Sequence, residues 1–305
     1  MSELLPRCEE EPITAVIPNR DGAPLLRRTL SALLQELPPE RHEILVVDDA
    51  SQDDSRALLR AEFPAVRVIP LAESVGFGQA CLRGFREARH PLVLLLNSDM
   101  EVTPGSVVLL RQHFQDPALF AVGPLYWSDD PARPRPTPDP RGYRCQLGSP
   151  AGGGLFRRDR FLQLGGFDPL YHPFYWEDLD LGWAAWREGW RILEDGRCHF
   201  IHRESATIRK LYPPAYVARV RLRNRCLFGW KNLRSPLLLA RFQAISLARA
   251  LTHLLRRRDP SLLLGIADSL QRLPAVWQSR RGGGARDTAA ILRDSETHLR
   301  SLLTL

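Results

Sequence analysis

Between residues 13 and 125 the chain alternates short, wholly apolar runs with longer segments whose leucines recur at helical spacing. The runs 13–17, 44–47, 66–69, 92–96 and 120–124 are short and continuous, and they read as buried strands. The segments 25–37, 51–63, 78–88 and 104–114 read as the helices between them; in the first, leucines 26, 30, 33, 34 and 37 share one face. Ser51 is expected to cap the second helix, with Asp54 three residues on. Strands without a polar face, alternating with helices, predict an α/β fold: a mostly parallel sheet covered on both sides. Such sheets bind ligands beyond the carboxyl ends of their strands, so those ends are where chemistry is sought.

Residues 128–140, SDDPARPRPTPDP, are rich in proline and read as a loop. A glycine-rich piece follows at 149–154, then a helix over 159–164. From residue 213 the chain reads as helical and rich in arginine. RGGGAR, 281–286, reads as a flexible break before a last amphipathic helix over 287–303. The expected division is 1–212 as the catalytic unit and 213–305 as a helical C-terminal extension.

The 305 residues carry a net charge of +7, and only Lys210 and Lys231 are lysines. A basic chain can seek nucleic acid, anionic lipid or phosphate-bearing small molecules. The sequence has no paired zinc ligands and no aromatic-basic repeat, so nucleic acid is not the expected partner. The five cysteines are odd in number and lack a C-x-x-C pair, which speaks against a disulfide framework or a zinc ribbon. The first residues, MSELLPRCEEEP, are acidic and unlike a secretory signal. No stretch of about twenty uncharged apolar residues occurs. The expected location is the cytoplasm, at the inner face of a membrane if the C-terminal region docks there.

Two strand ends carry acids. The strand 44–47 runs into Asp48 and Asp49; the strand 92–96 runs into Asn97-Ser98-Asp99. Oxygen ligands at such a turn suit Mg²⁺ or Mn²⁺. Read alone, VVDDAS is a helix cap and LNSD a turn; two acidic ends in one sheet favour a metal–nucleotide site. Gly76-Phe77-Gly78 lacks the third glycine of G-x-G-x-x-G and does not follow the first strand, so a dinucleotide fingerprint is a poor fit. Further on, FYWEDLDLGW, 174–183, sets Glu177, Asp178 and Asp180 among aromatic residues. Carboxylates in apolar surroundings need a partner. They form either a solvated helix stripe or a site for a cation, a proton or a substrate hydroxyl.

Taken in order, ITAVIPNRDG, VVDDASQDDS, ESVGFGQACLRGFREA, LLLNSDMEV, AGGGLFRRDRFLQLGGFD, YWEDLDLGWAAWREGWRI and FIHRESAT resemble the family 2 glycosyltransferases, inverting enzymes of the GT-A fold, in their rhamnosyltransferase-like and galactofuranosyltransferase-like branch. The resemblance spans 12–208, about two thirds of the chain. It implies that Pro18 and Asn19 line a nucleotide pocket, that Asp49 binds the base or ribose, and that Gly76, Phe77 and Gly78 form a loop over the nucleotide. Asn97-Ser98-Asp99 matches the D-x-D metal motif, with Asn97 in place of its first Asp. Asp99 and His202 are then the expected ligands of Mg²⁺ or Mn²⁺. Gly152, Gly153 and Gly154 would leave room for the sugar or acceptor. Asp178 would be the general base, Glu177 would bind hydroxyls, and Trp176 and Tyr175 would offer a sugar-stacking surface.

Asp180 is expected to be structural, pairing with Arg187 or Arg191, and His199 is left structural as well. In the C-terminal region Arg241, Arg249, His253 and Arg256 fall within an arc of about 120° on a helix. They predict either a face that docks on anionic lipid, serving a lipid-linked acceptor, or a helical unit packed on the catalytic one. The expected activity is transfer of a sugar, with inversion, from a nucleotide-diphosphate donor to a hydroxyl of a glycan or lipid-linked saccharide. The alternatives are a nucleotidyltransferase of related fold, which PNRDGAPLLRR suits poorly as a phosphate loop, and a non-catalytic carbohydrate-binding descendant.

Overall fold

The computed structural model describes residues 11–128, 130, 134, 136, 137, 142–203, 212–280 and 286–305. Its first part follows the alternation: β1 (Thr14–Asn19), α1 (Ala23–Glu36), β2 (Glu43–Asp48), α2 (Ser55–Glu62), β3 (Arg67–Pro70), α3 (Phe77–Glu87), β4 (Leu92–Leu96), β5 (Met100–Val102), α4 (Ser106–Gln112) and β6 (Leu119–Ser128). Then come β7 (Tyr143–Cys145), β8 (Gly153–Arg157), α5 (Arg158–Gln163), α6 (Glu177–Arg187) and β9 (Arg191–His202). Six helices close the chain: α7 (Pro214–Asn232), α8 (Pro236–Arg257), α9 (Ser261–Gln271), α10 (Leu273–Ser279), α11 (Thr288–Asp294) and α12 (Leu299–Thr304).

Among the described residues the sheet runs β3-β2-β1-β4-β8-β6-β9-β5, with β7 on β9. It is the expected flanked α/β sheet, mixed rather than purely parallel. The strands foreseen from apolar runs pair in parallel, β3 with β2, β2 with β1 and β1 with β4. Every antiparallel pair includes β5, β7, β8 or β9, which the apolar runs did not mark. The reason is composition: β8 opens on glycines and β9 carries charges, so neither reads as an apolar run. All six residues of β1 and of β2 are buried, as strands covered on both faces must be. Gly84 lets α3 lie close on that sheet, because a Cβ there would sit 2.2 Å from Val16 Cγ1.

Two helix expectations need correction. The second helix starts at Ser55, not Ser51. The Ser51 hydroxyl is already an acceptor for the Asp21 amide at 3.0 Å and for Asn19 Nδ2 at 3.2 Å. Asp21 Oδ1 also holds the Gln52 and Asp53 amides, so residues 51–54 form a tied loop. The last helix is broken in two at Ser295 and Glu296, the latter at φ 54°. Of the segments read as irregular, most of 129–141 and all of 281–285 lie outside the described residues.

Candidate active site

The site is assembled where strand ends meet the start of α6. On the donor side, Asp49 follows β2. Its Oδ1 accepts from the Val75 amide at 2.7 Å, and its Oδ2 from Ser74 Oγ at 2.8 Å and the Gly76 amide at 3.1 Å. One carboxylate thus fixes the loop that leads into α3. Gly76 sits at φ 81°, and a Cβ there would lie 3.1 Å from the His172 ring. Phe77 packs on Phe167 at 5.6 Å, and Gly78 faces the same residue. Pro18 and Asn19 end β1. Asn19 Nδ2 reaches Asp48 Oδ1 at 3.5 Å as well as Ser51, so it clamps the ends of β1 and β2.

The turn between β4 and β5 holds the D-x-D-like residues. Asn97 N bonds the Gly152 carbonyl at 3.0 Å, and Thr29 Oγ1 holds the Ser98 carbonyl at 2.9 Å. β5 pairs with β9 so that Met100 faces His202. That register carries Asp99 to His202 across 103 residues of sequence, with Oδ2 and Nε2 3.3 Å apart. Asn97 Oδ1 is buried with no hydrogen-bond partner among the described residues. No group of three or more His, Cys, Asp or Glu that could hold a metal occurs among the described residues. A carboxylate, an imidazole and a buried amide oxygen still suit Mg²⁺ or Mn²⁺, which commonly take one or two protein carboxylates and complete their shell with substrate phosphates and water.

On the base side, Tyr175 and Trp176 adopt φ 69° and 78°, two left-handed residues in succession immediately before α6. Such backbone is costly for side-chain-bearing residues and persists only where its surroundings enforce it. Asn224 of α7 enforces it: its Nδ2 bonds the carbonyls of Tyr171, Phe174 and Tyr175 at 2.7, 2.9 and 2.9 Å. The turn delivers Glu177 and Asp178 as the first residues of α6. Gly182 brings that helix against residues 147–148, since a Cβ there would lie 2.2 Å from the Leu147 carbonyl oxygen. Ser149 donates from its amide and its hydroxyl to the Asp178 carbonyl, both at 3.0 Å.

Burial dominates the electrostatics. It pushes the Glu177 carboxyl up to about 8, helped by the neighbouring Asp178 charge and opposed by the amides of Glu177 and Tyr175. Glu177 Oε2 has no hydrogen-bond partner among the described residues. Burial also raises Asp178, against the pull of the Leu179 amide and its own. The charges reach their neighbours: after burial, Glu177 and Asp49 raise the Cys81 thiol, and burial first, then Glu194 and Asp178, raise the Tyr126 hydroxyl, which donates to Gly153 O at 2.7 Å. These links bring Asp49, Glu177, Asp178 and the Gly152–Gly153 turn around one region.

Some expected roles are reassigned. Asp180 pairs with neither Arg187 nor Arg191. It accepts from Lys231 Nζ at 2.6 Å, Asn232 Nδ2 at 2.7 Å and the Tyr171 hydroxyl at 2.8 Å, while Arg191 bonds Asp116. The Trp176 ring is not a stacking surface. It is buried against Phe228 and Phe242, because the left-handed backbone turns it inward. The Tyr175 ring lies under Arg221 at 4.3 Å. Gly153 and Gly154 open no room for a ligand: their missing Cβ atoms would strike Phe200 and Pro150. His199 stacks on Trp127. In the motif holding His202, residues 204–207 lie outside the described residues. Sequence reasoning missed His172, Ser149, Asn224 and Lys231. Lys231 alone left a signal, as one of two lysines in an arginine-rich chain.

The sheet, with a loop-holding carboxylate after β2, an Asp–His pair at a strand turn and two largely screened acids at a helix start, has the architecture of the GT-A class. A profile described as glycosyl transferase family 2 matches residues 14–169, and the chain belongs to that family of glycosyltransferases. It is 30% identical over 238 residues to an N-acetylglucosaminyl-diphospho-decaprenol L-rhamnosyltransferase of Mycobacterium tuberculosis, covering 64% of this chain and 76% of the relative. Among solved structures it is similar to S. aureus TarS 1-349 in complex with UDP-GlcNAc (TM-score 0.62, 16% identity, 87% of this chain and 82% of that one). It is similar too to the mannosyltransferase PcManGT of Pyrobaculum calidifontis in complex with GDP-Man and Mn²⁺ (TM-score 0.54, 16% identity, 96% and 78%). These likenesses establish the fold.

Proposed function

We propose that this protein transfers a sugar, with inversion, from a nucleotide-diphosphate donor to a hydroxyl of a lipid-linked saccharide. The observation that carries the reading is the grouping of desolvated Glu177 and Asp178 with the Asp49-held loop and the Asp99–His202 pair. The lipid-linked class of acceptor is supported by the decaprenol-linked relative.

Asp178 is the base. Its carboxylate takes the proton from the acceptor hydroxyl while that oxygen bonds the anomeric carbon. The bond from that carbon to the diphosphate breaks, and its electron pair leaves on the phosphate oxygen. A carboxyl raised by burial is a stronger proton acceptor once ionised, which suits this step. Glu177, held up at about 8, is protonated at neutral pH and can donate to a sugar oxygen. Asn97, Asp99 and His202 would hold Mg²⁺ or Mn²⁺, whose contribution when bound is to offset charge on the departing diphosphate. Asp49 keeps the loop at residues 74–76 in place for the nucleotide.

Calorimetric titration with UDP-, dTDP- and GDP-sugars, with Mn²⁺ or with EDTA, tests the donor side. One donor class should bind only with metal, and Asp99→Ala should lose that binding. Equal binding in EDTA would sink the metal reading, and no binding of any donor would sink the donor reading.

A further inference from the structure

The helix α8 is built backwards for a surface helix. Its inner face carries Phe242, Ser246 and Ala250, all buried. Its outer face, which should be polar, carries leucines. Leu237 is 72% exposed, Leu247 47%, Leu251 45% and Leu255 81%. At about 100° per residue these four fall within an arc of about 80°, with Ala240, Ala244 and Ala248 along the same stripe. Single exposed leucines are ordinary, but a continuous apolar stripe along a whole helix marks a surface that is covered in use.

The charge around the stripe says by what. α8 has no acidic residue, and exposed Arg241, Arg256, Arg257 and Arg258 border its outer face and its C-terminal end. The arginines predicted to dock are not all the ones available. Arg249 bonds the carbonyls of Thr304 and Leu305, and His253 bonds Asp259 at 3.0 Å. The α7 arginines are also engaged: Arg225 is buried on the Phe242 and Leu303 carbonyls, and Arg219 pairs with Asp268. The exposed arginines Arg241, Arg256, Arg257 and Arg258 therefore gather beside the leucine stripe. A second copy of this helix is a poor occupant, since parallel or antiparallel pairing sets arginine ends against arginine ends without an acid between them. An anionic lipid surface satisfies both features: leucines enter the acyl boundary and arginines meet headgroup phosphates.

The geometry points to α8 as a membrane-docking helix that lies in the plane of an anionic lipid surface through Leu237, Leu247, Leu251 and Leu255. Its inner face touches the base loop directly, because Phe242 packs on Trp176 at 6.3 Å, one residue before Glu177. Docking by α8 thus sets the start of α6 within two side-chain layers of the lipid. This rests on the proposed lipid-linked acceptor for its purpose, but the docking itself can be tested apart from it.

The test is flotation of the full-length protein with phosphatidylglycerol/phosphatidylcholine vesicles and with pure phosphatidylcholine vesicles, at low and high salt. Calorimetric donor titration and light scattering run alongside. Wild type should float with the anionic vesicles and largely lose them at high salt. L247S/L251S/L255S should weaken vesicle binding at least about tenfold, with donor binding and mass unchanged. R256A/R257A/R258A should weaken it on the order of a hundredfold, about fivefold for each arginine. Vesicle binding that survives the leucine substitutions would overturn the assignment. So would a wild-type dimer, without vesicle affinity, that those substitutions split into monomers. Loss of donor binding in wild type with vesicle binding intact would sink the transferase reading and leave the docking helix standing.

Discussion

The two sides of the site are held by different kinds of contact. The proposed donor side is built within the sheet unit: Asp49 grips residues 74–76, and Thr29 of α1 grips Ser98. Both are contacts inside the sheet unit, between the ends of its strands and the helices and loops beside them, although Thr29 and Ser98 lie 69 residues apart. The base side is held from behind by α7, about fifty residues further along the chain. Asn224 fixes residues 171–175, Arg223 bonds the His172 carbonyl, and Lys231 and Asn232 hold Asp180. Lys231 Nζ also reaches Asp168 at 2.6 Å, and Ser279 of α10 donates to the same carboxylate. The C-terminal helices are therefore the mould in which the base loop is cast. Within a single turn of α6, Asp180 is paired and buried, while Glu177 and Asp178 are half-buried and raised by desolvation. The difference follows from which face of α6 meets α7.

If the two sides are separable, substitutions on one should spare the other. Asp178→Asn removes the proposed base and keeps the shape. Turnover should fall about 10²- to 10⁴-fold, with donor affinity in calorimetry unchanged; an equal loss of donor affinity would break the comparison. Lys231→Met strands the buried carboxylate of Asp180 and the half-buried one of Asp168. Urea unfolding should show a loss of about 3–5 kcal/mol, and the K231M/D180N double substitution should recover part of it. Asp49→Asn weakens a charge-assisted cluster. It should cost about 1–3 kcal/mol, lower donor affinity and leave single-turnover chemistry at saturating donor intact.

The same contrast explains what could be read before the structure. β1 to β4 were legible because buried parallel strands have one apolar signature, and Asp49 and Asp99 were legible because the motif places them at strand ends. β8 and β9 were not, since a glycine-led strand and a charged one look like loop until their partners are known. Asp180 was given a partner on its own element or the next strand, where local spacing allows one. Its true partners, Lys231 and Asn232, are 51 and 52 residues away, and no spacing rule reaches that far. The Trp176 ring was misplaced for a related reason. Sequence shows an aromatic beside two acids, but the left-handed backbone that turns it toward Phe228 and Phe242 is imposed by Asn224.

The finest test of the contrast is pH. In the unfolded chain Glu177 releases its proton near its ordinary 4.5, whereas in the fold it holds it to about 8. Between those values the folded state carries a proton that the unfolded state lacks, so this group lowers stability as pH rises through the window and changes nothing outside it. Asp168 acts in the opposite sense. Despite burial, the Lys231 charge and its hydrogen bonds lower its pKa, so its contribution is present above the unfolded carboxylate range and is lost as pH falls through the folded value. Glu177→Gln removes the first effect and spares the second. Urea midpoints at pH 5, 6, 7 and 8 should therefore show the variant gaining on wild type with each step upward. A difference that stays flat across those four points would mean that Glu177 is ionised in the fold. The proposed base side would then need a cation close to Glu177, apart from the one proposed at Asp99 and His202.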